Sequence, residues 1–206
     1  MKYFYAIFLT ILVSACGSGS NDLPTAQVSP VYSTYEVEQR GDSIKNQAGQ
    51  TLEKYLPKGS KVTNFGLDGQ RAWDMVVGRY GSLPVNMQPN VYYSFDFGAN
   101  ECLQNTGTQF FKDNIEHTIF YMKGFRTIII APWKVTNPSG GCDVQVESYR
   151  QVVVDLVAKY KKEPGYNVTM PALDMNQDNI GEGIHLGQGH TDLRAELESR
   201  AIYSLK

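Results

Sequence analysis

A chain of 206 residues with 19 Lys and Arg against 21 Asp and Glu has a formal charge of −2, which leaves no basic surface to draw in nucleic acid and no acidic tail. An apolar content of 42% with 19% charged residues excludes a disordered or fibrous chain. The length suits a single domain of ordinary size.

Met1 to Ala15 reads as a short export signal, with Lys2 followed by an apolar core from Tyr3 to Val13 and then small residues. It falls short of the roughly 20 apolar residues that a permanent spanning helix needs. Its end, Val13-Ser14-Ala15-Cys16, resembles a bacterial lipobox, whose cysteine is acylated and becomes the new N-terminus. The rival reading is an ordinary secretory signal with a chance cysteine. Residues 16–30, rich in Gly, Ser, Asn and Pro and without apolar period, suit a tether from acylated Cys16 to a domain at 31–206. The lipobox resemblance implies an exported protein, lipid-anchored in the cell envelope. Gly17, where such lipoproteins can carry Asp, points to the outer membrane, on its periplasmic or surface face.

An exported domain sits in an oxidising compartment. With Cys16 taken by lipid, Cys102 and Cys142 remain as a pair, and a disulfide between them is expected to contribute ~3–4 kcal/mol. Two free thiols, or one nucleophilic cysteine, is the alternative.

Loose alternation from Val31 to Gln39 predicts a strand, though one more polar than a central parallel strand. Helical spacing runs from Ser43 to Leu56 and stops at Pro57 and Gly59. Between them lies Gly41-Asp42-Ser43. A strand, a tight turn with glycine and a helix would lift that serine to the end of a sheet, with the helix N-terminus favouring negative charge beside it. Lys61 to Phe65 is a second strand, Asn64 to Gly69 a turn, and Gln70 to Arg79 a helix. Val91 to Phe97 is a strong strand, followed by a helix from about Thr108 to Met122. Thr127 to Ala131 is a short apolar strand of the kind buried on both faces. After a Pro/Ser/Gly loop come a helix from about Val144 to Lys161, a weaker strand from Asn167 to Ala172, and a last helix from about Thr191 to Tyr203.

Five alternations of strand and helix predict an α/β fold with a parallel sheet. Ligands bind such sheets at the carboxyl ends of the strands. Ser43, Gly69, Asn100 and His185 all follow strand candidates on that side. Singly, each has a bland explanation. Gly-Asp-Ser is a common turn tripeptide, Gly98-Ala99-Asn100 could simply end a strand, and a lone His185 is more often a packing histidine.

Together and in order, Gly41-Asp42-Ser43, Asn64-x-Gly66-x-x-Gly69, Gly98-x-Asn100 and Glu182-Gly183-Ile184-His185 resemble the four sequence blocks of the SGNH (GDSL-type) hydrolases. The resemblance covers about Tyr32 to Tyr203. It implies a flavodoxin-like three-layer α/β/α sandwich on a central parallel sheet of about five strands. It also implies ester hydrolysis by an acyl-enzyme mechanism, with Ser43 as nucleophile, His185 as base and Glu182 orienting the imidazole. The Ser43 and Gly69 N–H groups and the Asn100 side-chain amide would form the oxyanion hole. The family usually has Asp where Glu182 stands, so Asp178 or a backbone carbonyl is an alternative orienting group. Glu101 is a second departure, at a position where the family often has Asp.

A serine mechanism of this kind needs no metal and no other cofactor. His117 lies on a predicted helix without partner spacing, and no Cys or carboxylate pattern completes a zinc site around His190. Expected substrates are a small acyl ester, an acetylated glycan or a lipid ester, met by a monomer held at the membrane through its N-terminal lipid. The rival class is an inactive SGNH-like domain that binds envelope glycan or a protein partner.

Overall fold

The computed structural model describes residues 33–49, 51–133, 142–172 and 188–205, all within the unit Tyr32–Lys206. The leader, the tether with Cys16, and the loop with Asp178, Glu182 and His185 lie outside the described residues.

Five strands form one sheet: β1 (Glu36–Gly41), β2 (Lys61–Gly66), β3 (Val91–Asp96), β4 (Arg126–Ile130) and β5 (Asn167–Thr169). Their order across the sheet is β2-β1-β3-β4-β5, and every pairing is parallel. The helices are α1 (Ser43–Gly49), α2 (Ala72–Val76), α3 (Ala99–Leu103), α4 (Thr108–Tyr121), α5 (Asp143–Tyr160) and α6 (Gln188–Ser204), with a 3-10 turn at Leu52–Tyr55. The strand–helix alternation and the parallel five-stranded sheet are as the sequence predicts.

Both faces of the sheet are covered, which makes three layers. On one face Tyr93, Phe95 and Ile129 pack against Phe111 and Ile115 of α4 and Tyr149 and Val153 of α5. On the other, Val37, Tyr92, Ile128 and Ile130 meet Leu52 and the Ala201 and Ile202 side of α6. The alternating aromatics of β3 are thus core on both faces. All six residues of β3 are buried, as a central parallel strand requires.

Several boundaries differ from expectation for identifiable reasons. β1 starts at Glu36 and runs on to Gly41, because its buried face is Val37, Gln39 and Gly41. Its polarity is therefore internal: Gln39 is fully buried and its amide donates to Glu198 of α6 (3.0 Å). The helix expected over Ser43 to Leu56 is two pieces, α1 and the 3-10 turn. The one expected over Gln70 to Arg79 is a short helix, five residues long. α3, which the sequence reading did not foresee, follows β3 at once. Lys159 near the end of α5 reaches across to Glu116 of α4 (2.7 Å).

Cys102 on α3 and Cys142 at the start of α5 are joined by a disulfide, with Cα atoms 5.4 Å apart. The bridge pins the short α3 to the much longer α5.

Candidate active site

In this strand order the chain leaves β1 for β2 on one side and then crosses back to place β3 on the other. The connections consequently diverge at the carboxyl ends of β1 and β3, the switch point whose crevice is where doubly wound sheets bind their ligands. Gly41, Gly66 and Asp96 are level across β1, β2 and β3. Ser43 follows the first by two residues, Gly69 the second by three, and Asn100 the third by four. Three of the sequence-predicted site residues are therefore carried to one end of three adjacent strands. Glu182 and His185 fall outside the described residues, so their relation to Ser43 is not part of this geometry.

Ser43 opens α1 and is largely buried. Two neighbours set its position. A Cβ at Gly41 would lie 2.3 Å from the Asp96 carbonyl oxygen and 2.7 Å from Lys45 Cβ, so β1 and β3 approach this closely only with glycine there. Asp42 continues the sheet: its N–H donates to the Asp96 carbonyl (3.2 Å) and its Oδ1 accepts from the Ile44 N–H (2.9 Å). Burial, reinforced by the charges of Asp96 and Glu101, pushes the Asp42 carboxyl well above the usual carboxylate range.

The second block is tied by side chains to α1, the helix that Ser43 opens. Asn64 donates its amide to the carbonyls of Lys45 (3.3 Å) and Asn46 (3.2 Å), and its Oδ1 accepts from the Gly66 N–H (2.9 Å). Asn46 in turn donates to Asp68 (3.2 Å). Gly69 ends this turn at φ +79°, in the left-handed region that favours glycine, and nothing lies within 4 Å of where its Cβ would be.

The third block is tied to the second. The Asn100 amide donates to the Gln70 carbonyl (3.1 Å), which uses one of its two N–H groups. Glu101, almost wholly buried, accepts from the Ala72 N–H at Oε1 (2.6 Å) and from the Gly98 N–H at Oε2 (3.0 Å). Burial raises its carboxyl to about 7, against the lowering effect of those backbone N–H groups and of Arg71.

Beneath the crevice lies a set of buried charges that sequence reading missed. Lys45 of α1 pairs with Glu198 of α6 (2.6 Å) and donates to Ser94 of β3 (3.1 Å). Arg194, one turn earlier on α6, makes a two-pronged pair with Asp96, with Nε 2.8 Å from Oδ2. Its guanidinium also stacks 5.3 Å over Trp133. The signal was present as Arg194 and Glu198 at i, i+4, on the same helix face as Ala195, Ala201 and Ile202. Nothing local distinguished it from an exposed pair.

Among the described residues no group of His, Cys, Asp and Glu is placed to hold a metal ion. His117 is exposed on α4 and His190 half-buried on α6.

Comparison of the whole structure with solved ones places this architecture. A lipase/acylhydrolase from Enterococcus faecalis superposes with a TM-score of 0.61 at 17% identity, over 84% of this chain and 98% of that one. A lipolytic protein of the G-D-S-L family from Veillonella parvula gives 0.65 at 14% identity, over 83% and 99%. The fold is that of the GDSL lipolytic proteins. An acetylxylan esterase from Geobacillus stearothermophilus shares it too, at 0.57 and 13% identity over 84% and 94%. No protein-family model and no curated protein matches the sequence. These neighbours share the architecture at 13–17% identity, and the likeness is one of fold.

Proposed function

We propose that this chain is a serine ester hydrolase of the cell envelope. The observation that carries the proposal is the convergence of Ser43, the Gly69 turn and Asn100 on the β1–β3 crevice, with the two donor turns bonded to each other through Asn100 and Gln70. A serine at a fold switch point beside paired N–H donors is what attack on a carbonyl requires. The GDSL-fold neighbours, a lipase/acylhydrolase and an acetylxylan esterase among them, are consistent with ester bonds.

In the reaction, Ser43 Oγ attacks the ester carbonyl carbon as His185 takes its proton. The carbonyl π electrons move to the oxygen, which accepts from the Ser43 and Gly69 N–H groups and the Asn100 amide. Collapse breaks the bond to the leaving alcohol, which receives the proton from His185. Water then attacks the acyl-Ser43 ester by the same route and releases the acid. Glu182 holds the imidazole in the right tautomer and stabilises its charged form. The enzyme acts as a monomer tethered through acylated Cys16, on a small acyl ester, an acetylated glycan or a lipid ester of the envelope.

The test is release of p-nitrophenol from acetyl and longer-chain esters by the purified chain and its Ser43→Ala variant. Turnover that disappears with Ser43 supports the proposal, and its chain-length preference defines the acyl pocket. Absence of Ser43-dependent turnover on every ester, from folded protein, overturns it in favour of a binding domain.

A further inference from the structure

Glu101 takes no part in the mechanism above, yet it is the side chain that joins the two donor-bearing turns. Its Oε1 holds the first N–H of α2, three residues beyond Gly69, and its Oε2 holds the N–H of Gly98, two residues before Asn100. Each oxygen serves a different turn, and only the carboxylate form presents an acceptor to both N–H groups without a competing proton. A charge-assisted bond at 2.6 Å inside a low-dielectric site is among the stronger ties a protein makes.

We propose that Glu101 is a positioning residue, whose carboxylate sets the spacing between the Gly69 turn and Asn100 and so shapes the oxyanion hole. The proposal rests on the hydrolase reading for its effect on rate, but not for its effect on geometry. Ionisation of Glu101 then tightens the hole, and loss of its charge loosens it. Among the described residues, the charged and titratable groups facing Glu101 come from β1, α2 and α5. Asp42 lies at the end of β1, and Arg71 before α2 is already engaged by Asp74 (2.8 Å). Tyr149 of α5 has its hydroxyl pushed up to about 12, by burial first and the Glu101 charge second. The Asp96–Arg194 pair lies beyond Asp42. Among the described residues no cation is hydrogen-bonded to Glu101, and with its carboxyl at about 7 the switch falls near neutral pH.

Two measurements test this together. The first is a ¹H–¹⁵N titration of the full chain from pH 5 to 9. In the wild type the Ala72 and Gly98 amides are expected to shift with a midpoint near 7, and the Gly69 amide and Asn100 side-chain amide to follow with the same midpoint. In Glu101→Gln, whose amide faces one N–H with another, that shared midpoint is lost. The second is the pH profile of p-nitrophenyl acetate turnover. Glu101→Gln is expected to lower kcat about tenfold to a hundredfold, with KM nearly unchanged and the Glu101 inflection absent.

Gly69 and Asn100 that stay still while Ala72 and Gly98 titrate overturn the proposal, as does a wild-type kcat in Glu101→Gln. A shared midpoint without any Ser43-dependent turnover upholds the positioning role and overturns the hydrolase reading instead. Should Glu101→Gln fail to fold, the wild-type titration alone still decides the coupling of the two turns.

Discussion

Gly41 has no room for a methyl group. The added carbon would sit against the Asp96 carbonyl, which is sheet backbone and has little freedom to move. Gly41→Ala is therefore expected to cost about 3 kcal/mol, read as a lower urea midpoint at unchanged slope. At Asn100 the expected loss is in rate. Asn100→Ala removes the tie to Gln70 and, on the proposed mechanism, one oxyanion donor, so kcat on a nitrophenyl ester should fall about a hundred- to a thousandfold. Glu101 adds a stability effect whose sign is opposite to its effect on rate. Its carboxyl rises from an ordinary 4.5 to about 7 in the fold, so the folded chain binds that proton more tightly than the unfolded one. The contribution is fully present below about pH 4.5 and is lost as pH climbs through about 7, to the extent of roughly 3 kcal/mol. Between pH 5 and pH 8 the unfolding free energy of the wild type should fall by about 2.5 kcal/mol more than that of Glu101→Gln. The charge that orders the site is thus costly to bury, a common arrangement where function is served.

The buried pairs of α6 act at the scale of elements. Lys45–Glu198 and Arg194–Asp96 fasten α6 to α1 and β3, directly below the crevice, with nearly no exposed surface on any of the four side chains. Removing one partner leaves a buried charge alone. Lys45→Met is accordingly expected to cost about 3–5 kcal/mol in urea unfolding, whereas Lys45→Met with Glu198→Leu should recover most of the loss. A loss in the double variant as large as in the single one would mean that packing of the lysine stem, rather than charge, is what matters there. The polar Gln39 belongs to the same set, and this is why β1 looks too hydrophilic for a central strand when read alone.

At the scale of the molecule, the Cys102–Cys142 bridge closes a span of 40 residues that contains α4 and β4. Replacing both cysteines by serine is expected to lower unfolding free energy by about 3–4 kcal/mol, measured against the wild type with and without reductant. Because α3 carries Asn100 and Glu101 as well as Cys102, the same change should reduce ester turnover before global unfolding sets in. The parallel sheet places the turns of Ser43, Gly69 and Asn100 at one end, so these turns and the core share their supports.

Much of this was legible in the chain itself. Strand and helix alternation is a local pattern, and the short spacings within Gly41-Asp42-Ser43, Asn64 to Gly69 and Gly98 to Asn100 are local too. Together they determined the parallel α/β class and the strand ends at which Ser43, Gly69 and Asn100 stand. Tertiary structure alone decided the rest. Gln39 meets Glu198 across 159 residues of sequence, Lys45 meets Glu198 across 153, and Glu101 reaches Ala72 across 29. A charged residue that satisfies itself at such a distance leaves no periodic trace, since its partner, not its neighbours, removes the cost of burying it.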